Sequence, residues 1–519
     1  MPREGWVRFC ITLSVMVPTL LEVLDTSVAN VALSHIQGSL SAGQEEATWV
    51  LTSYLVANAV VIPMSGWLSK LFGRKNYLLL SIVVFTASSA LCGMAWSLPS
   101  LIFFRIVQGL GGGGLQPLSQ AILMETYPPA KRGMAMSIFG MGVVLGPILG
   151  PLLGGWITDN WTWRWIFYIN LPIGLLALWM CWNFIEDPHY QVRLSKGEKV
   201  DVIGLALLSL GIGCLQIVLD KGQQEDWFSS DYIVVLAAVS AVSLVLLVYW
   251  ELTHDNPVLD LRVLKNRSFA IGNVVIFLGF FAFFGSIVLL PMFLQQILGY
   301  TSFQAGLVLG PGGLLTLFAL PVAGKLTEKI DARFLLALGL CVTAYSLWYM
   351  ARFNMAIDMP TAVTGRLIQG VGMPFFFVCL SLLTMASVPN PQMNAASALF
   401  SLFRNLGGSF GTAFVTTLLA RRVQVHQNYL IEHLTPFDAI YADRLPRIGE
   451  YLSSRLGNWV EHTQAAAGLV YQQLQRQAAT MAYNDANFSQ AVILAGLVGL
   501  VFFMRPAVRR KGGPGPSAH

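Results

Sequence analysis

Charge is what this chain lacks. Asp, Glu, Lys and Arg make up only 11% of its 519 residues, whereas a soluble domain carries about 25%. An ordinary soluble globular domain is therefore excluded. The chain also lacks cysteine patterning. Its six cysteines (Cys10, Cys92, Cys181, Cys214, Cys341 and Cys379) all fall in apolar stretches, with no C-x-x-C spacing. That excludes a disulfide framework and the common zinc sites. No G-x-x-x-x-G-K-[ST] occurs to suggest ATP as an energy source, and H-E-x-x-H is absent, which argues against the common zinc metalloproteases. The net charge of +5 is modest and reads through loop topology rather than as a nucleic-acid footprint. The first apolar stretch is too long for a signal-peptide core and lacks a small-residue cleavage site, so no cleaved signal is expected.

What the chain has is long apolar runs. A helix needs about 20 predominantly apolar residues to cross a bilayer. Fourteen stretches qualify: 8–33, 48–68, 77–96, 100–123, 134–156, 163–185, 202–220, 231–251, 269–294, 303–323, 332–352, 360–387, 395–420 and 484–504. Basic residues cluster in alternate loops. Lys70, Arg74 and Lys75, then Lys131 and Arg132, then Arg193, Lys196 and Lys199 lie on one side. Arg262, Lys265 and Arg267, then Lys325, Lys329 and Arg333, and the tail Arg505, Arg509, Arg510 and Lys511 join them. Lys221 is the clear exception in the opposite short loops. The positive-inside rule puts the basic side, and with it both termini, in the cytoplasm.

The expected fold is an all-α polytopic membrane protein of two pseudo-symmetric six-helix halves. Residues 1–190 form the first half, 191–255 two extra central spans, and 256–519 the second half. The second half includes a long loop, 421–483, on the far side. The halves are suggested by an internal echo. Arg105-Ile-Val-Gln108-Gly109-Leu-Gly111 recurs as Arg366-Leu-Ile-Gln369-Gly370-Val-Gly372, and Gly66 to Arg74 recurs loosely as Gly324 to Arg333. Parallel repeats about a central site are a transporter plan.

Within this frame Asp25 stands out. A carboxylate far inside a membrane span is expensive and marks a functional site by default. Glu22 lies three residues earlier, a spacing that places both acids on one helix face. Arg105 also lies within an apolar span and needs a partner or a water-filled cavity. It is expected to shape the field around Asp25, the alternative being that it snorkels to the interface. Arg366 and Arg404 pose the same question in the second half, with no buried carboxylate to name as partner. The run Gly142-Val-Val-Leu-Gly146-Pro147-Ile-Leu-Gly150-Pro151-Leu-Leu-Gly154-Gly155 costs helix propensity. In lipid that suits a bend or a close helix contact. Gly109 to Gly114 fits G-x-G-x-x-G formally, but no strand precedes it, so close packing is the reading.

These elements together resemble the major facilitator superfamily, and within it the fourteen-helix drug:proton antiporters of the EmrB/QacA type. Gly66-Trp-Leu-Ser-Lys-Leu-Phe-Gly73-Arg74-Lys75 resembles the superfamily's loop between helices 2 and 3. Arg105 to Gly109 is similar to its fourth-helix motif, Gly142 to Gly155 to the antiporter signature of helix 5, and Leu24-Asp25-Thr26 to Asn30 to the first-helix motif of the fourteen-helix group. Lys70 departs from the pattern, which usually has an acid there, so the usual ion pair of that loop does not carry over. Arg74 and Lys75 remain available to cap helix ends.

The resemblance implies a proton-driven exporter of amphipathic toxic compounds in a bacterial inner membrane, with the proton as coupling ion and no cofactor or metal. Asp25 or Glu22 would carry the proton, with Arg105 tuning it. The drug cavity would lie between the halves near the midplane, with Asn30, Asn58, Gln116, Met141, Phe280, Phe284, Phe376, Phe377 and Arg404 as candidate lining. Ile448, Leu452, Arg455, Leu456 and Trp459, and again Ala466, Leu469, Val470 and Leu474, follow helical spacing in the long loop. That loop either docks a periplasmic membrane-fusion protein of the EmrA type, leading to a TolC-like outer-membrane channel as the resemblance implies, or folds back as a lid. A specific metabolite or siderophore exporter, and a non-transporting sensor, remain the other readings.

Overall fold

The computed structural model describes residues 5–187, 201–254, 257–435, 437–456 and 462–506. Arg193, Lys196, Lys199, Trp459, Arg509, Arg510 and Lys511 lie outside the described residues, as do both expected joints at 190/191 and 255/256. The described residues hold helices and no strand.

In chain order the helices are α1 (Gly5–Ser39), α2 (Gln44–Phe72), α3 (Arg74–Gly93), α4 (Leu98–Gly112), α5 (Leu115–Thr126), α6 (Arg132–Asn160), α7 (Trp165–Tyr168), α8 (Asn170–Phe184), α9 (Val202–Lys221), α10 (Asp231–Thr253), α11 (Arg267–Met292), α12 (Ser302–Lys329), α13 (Ala332–Met350), α14 (Met359–Met385), α15 (Met393–Ile431), α16 (Ala439–Leu456) and α17 (His462–Val501). Taking α4–α5 and α7–α8 as one stretch each, 12 of them are long and apolar enough to cross a membrane. Side-chain caps set several starts. Ser97 accepts from the Ser100 amide, Asn266 from Ser268 and Phe269, Thr301 from Gln304, and Asp358 from Thr361. Each satisfies amides that the first helical turn leaves unpaired.

Of the remaining two expected spans, 395–420 falls within α15 and all but the last three residues of 484–504 within α17; these helices run for 39 and 40 residues. At 1.5 Å per residue each is about 60 Å long, roughly twice the hydrocarbon thickness of a bilayer. The surplus of both lies at the loop 421–483. There α16 packs on α17, Ala466 and Leu474 are buried, and Leu469 is exposed. His426 on α15 meets Asp485 on α17 at 2.8 Å, and Arg476 reaches the Ile297 carbonyl beyond α11. This part of the loop is seated on the chain's own helices.

The halves meet where α6 packs on α12 and α2 on α15. A Cβ at Gly66 would lie 2.9 Å from the Ala395 Cα, and one at Gly133 would meet Thr327, so contact is closest at the end carrying the basic loops. Helix α9 packs beside α2 and α15. Ser409 donates to Gln216 at 3.0 Å, and Trp227 Nε1 to Thr417 Oγ1 at 3.0 Å. Outside it, α10 leaves Val235, Val239, Val242, Val245 and Val248 exposed, an apolar face suited to lipid.

Candidate functional site

The two acids of α1 diverge. Asp25 points between α4 and α8. Its Oδ2 accepts from Arg105 Nη1 at 2.6 Å, and its Oδ1 from Gln108 Nε2 at 2.9 Å and Asn170 Nδ2 at 2.7 Å. Arg105 donates further to the Gln108 Oε1 at 2.9 Å and, through Nε, to the Val50 carbonyl at 3.1 Å. The Tyr54 ring lies 4.2 Å from its guanidinium. Asp25 is 2% exposed and Arg105 0%, so the pair is dry. Such a pair survives only when its remaining lone pairs and protons are also bonded. Here Asp25 accepts three hydrogen bonds and Arg105 bonds through Nε and Nη1, leaving its Nη2 unpartnered.

Glu22 points toward α2 instead. Its Oε1 accepts from Asn58 Nδ2 at 3.0 Å, and its buried Oε2 has no partner among the described residues. Asn58 Nδ2 also approaches the Tyr54 hydroxyl at 3.5 Å. Glu22, Asn58, Tyr54, Arg105 and Asp25 thus form one polar chain across α1, α2 and α4. Across the halves, Arg404 on α15 donates to Gln116 on α5. Its Nη1 is buried and unpartnered, and it lies within electrostatic reach of Glu22.

Phe280, Phe284, Phe376 and Phe377 form one aromatic cluster between α11 and α14, with centroids about Phe280 at 5.8 to 6.2 Å. Phe377 also stacks on Phe139 of α6 at 6.2 Å, so the cluster touches the other half. Three of the four rings are buried, and Phe284 is 40% exposed. Asn30, two turns beyond Glu22, is exposed, and Met141 is half-buried on α6. Neither is drawn into these networks.

The glycine ladder faces α1. Cβ atoms at Gly142, Gly146, Gly150 and Gly154 would lie 2.2 Å from Met16, 2.4 Å from Val23, 2.1 Å from Ser27 and 3.2 Å from Val28. Pro147 and Pro151 point away and are exposed. The helix carrying both acids therefore lies directly on the backbone of α6. Gly109 plays the same part for α4, its Cβ position being 2.6 Å from the Tyr54 carbonyl of α2.

At the basic end, Gly73 joins α2 to α3 with φ +84°, a conformation that glycine adopts without strain. Arg74 pairs with Glu125 of α5, both nearly buried. Lys75 Nζ bonds the Trp182 carbonyl at 2.7 Å near the end of α8, where a cation complements the helix dipole. Glu125→Ala is expected to destabilise the purified protein by on the order of 3 kcal/mol. Thermal unfolding in detergent measures this, and an unchanged midpoint would mean that the pair holds nothing.

Sequence reasoning missed Gln108 and Asn170 as Asp25 ligands, Tyr54 as the bridge and Glu125 as the partner of Arg74. The signals present were intramembrane amides and the i, i+4 spacing of Tyr54 and Asn58. It also missed Gly407 and Gly411 of α15, whose Cβ positions lie 2.3 and 2.1 Å from the Phe277 and Phe281 carbonyls of α11. Their G-x-x-x-G spacing is a recognised close-packing pattern.

Residues 15–412 match the family described as Major Facilitator Superfamily. The chain is 39% identical over 506 residues to the multidrug export protein EmrB of Haemophilus influenzae, covering 97% of each chain. It is 36% identical over 512 residues to the fatty acid resistance protein FarB of Neisseria gonorrhoeae, covering 99% of each. In structure it is similar to the human organic anion transporter MFSD10, with a TM-score of 0.58 at 15% identity, covering 94% of this chain and 99% of that one. The all-α fold, the paired halves and the near full-length similarity agree: the chain is a multi-pass membrane protein that belongs to the major facilitator superfamily.

Proposed function

We propose that this chain is a proton-driven multidrug efflux transporter of a bacterial inner membrane, with fourteen spans and both termini in the cytoplasm. The observation that carries the proton step is the dry ion pair of Asp25 and Arg105, joined through Tyr54 and Asn58 to Glu22. Protonating Asp25 would remove its charge from beside Arg105. Because the pair is sealed, that step needs α1 to move against α4 and α8, and movement of α1 is movement against the glycine face of α6. Glu22, at the edge of the same chain and within reach of Arg404 across the halves, would relay the change to the drug cavity. One charge crossing the membrane potential supplies about 2.3 kcal/mol per 100 mV.

The similarity to a multidrug export protein and to a fatty acid resistance protein supports amphipathic molecules as cargo, including acids with an apolar body. The aromatic cluster at Phe280, Phe284, Phe376 and Phe377 suits them. We further propose that the outer parts of α16 and α17 meet a periplasmic membrane-fusion protein of the EmrA type, feeding a TolC-like channel.

Drug-induced proton release from the purified protein in detergent tests the reading. Wild type is expected to release protons when a drug is added, and Asp25→Asn is expected to release none while retaining its fold. Equal release from both would move the proton site to Glu22, with Glu22→Gln as the next variant. No release from either, despite drug binding, would sink proton coupling.

A further inference from the structure

The same spacing of 261 positions separates Asp25 from Ser286, Arg105 from Arg366, Gln108 from Gln369, Gly146 from Gly407 and Gly150 from Gly411. The bonding repeats as well. In the first half Arg105 Nη1 donates to Gln108 Oε1, and Gln108 Nε2 donates to Asp25 on α1. In the second half Arg366 Nη1 donates to Gln369 Oε1, and Gln369 Nε2 donates to Ser286 Oγ on α11 at 2.8 Å. The scaffold is conserved between the halves, but a hydroxyl stands where the first half has a carboxylate.

The consequence is a guanidinium with no counter-charge. Among the described residues no carboxylate comes within 4 Å of Arg366, and its buried Nε has no hydrogen-bond partner. An unpaired cation at membrane depth is costly, and the cost falls when an anion arrives. Arg105 is fully buried, whereas Arg366 is only half-buried.

We propose that Arg366, Gln369 and Ser286 form an anion-binding subsite in the second half. It takes the carboxylate head of an amphipathic acid. Arg366 supplies the charged donors, and the Ser286 hydroxyl turns to donate to the second carboxylate oxygen. Transport of such acids rests on the exporter reading above, but the binding preference does not.

The test is calorimetric binding of 1-naphthaleneacetate and of its uncharged amide, 1-naphthaleneacetamide, to the full-length protein in detergent. Wild type is expected to prefer the acid by roughly tenfold or more, the size of a charge-assisted hydrogen bond. Arg366→Ala is expected to abolish that preference. Ser286→Asp, which installs the carboxylate found in the first half, is expected to abolish it with Arg366 still in place. It also decides the matter if Arg366→Ala does not fold. A preference absent in wild type, or surviving in either folded variant, overturns the subsite. Proton release on adding ethidium, a cationic dye, keeps the two readings apart. Release without acid preference leaves the exporter standing and removes the subsite. Preference without release does the reverse.

Discussion

Arg105→Ala is expected to cost about 3 to 5 kcal/mol of stability, the usual result of removing one partner from a buried pair. The loss should appear as a fall in the thermal midpoint of the detergent-solubilised protein and a smaller yield from the membrane. The reason is specific to this site. Removal strips Asp25 of its charged donor, the Val50 carbonyl of its Nε partner, and the Tyr54 ring of the cation over it. The double variant Asp25→Asn with Arg105→Gln removes both charges and keeps polar atoms near each place. It should therefore be more stable than Arg105→Ala alone, because no unpaired charge is stranded. The folded double variant should still release no protons on adding drug, which separates coupling from folding. A midpoint for Arg105→Ala within one degree of wild type would refute the structural role given to the pair.

Gly411→Leu should fail more completely. The Cβ position lies 2.1 Å from the Phe281 carbonyl oxygen and 2.7 Å from Cα and C of the same residue. Overpacking usually costs about 1 to 3 kcal/mol, occasionally more, and backbone yields less than a side chain does. The expected result is loss of monodisperse protein on size-exclusion chromatography. Gly411→Ala should show the same defect in milder form, since the first added carbon already collides. Gly155→Leu is the control, because nothing lies within 4 Å of its Cβ position. Equal behaviour of Gly411→Leu and Gly155→Leu would mean that α15 does not sit on α11 as described.

Much of this was legible in the sequence because the bilayer imposes strong rules. Apolar runs of fixed length outline most of the helices, and rarity in lipid singles out Asp25 and Arg105. The glycines from Gly142 to Gly154 show their spacing openly, and the four-residue period puts them on one face. Partner identity was harder to read. Asn170 reaches Asp25 from 145 residues away, and only tertiary packing brings α8 to α1. Spacing of i, i+3 places Glu22 and Asp25 on the same side of α1. It leaves about 60° between them, enough for Asp25 to face α4 and α8 while Glu22 faces α2. The partner of Arg74 was hidden for a similar reason. Glu125 arrives from another helix, 51 residues further along the chain. The ends of α15 and α17 stayed ambiguous because a single helix runs through both apolar and polar surroundings, and hydropathy registers only the first.

The contact of α1 with α6 has a periodicity of its own. Glycines at 142, 146, 150 and 154 recur every four residues, so similar notches follow one another at about 6 Å along the axis. The groups that fill them are unlike and unevenly spaced, Met16, Val23, Ser27 and Val28. A slip by one notch would mismatch every one of them, so the even ladder of α6 still gives α1 a single register, and that register fixes the height of Glu22 and Asp25 in the bilayer.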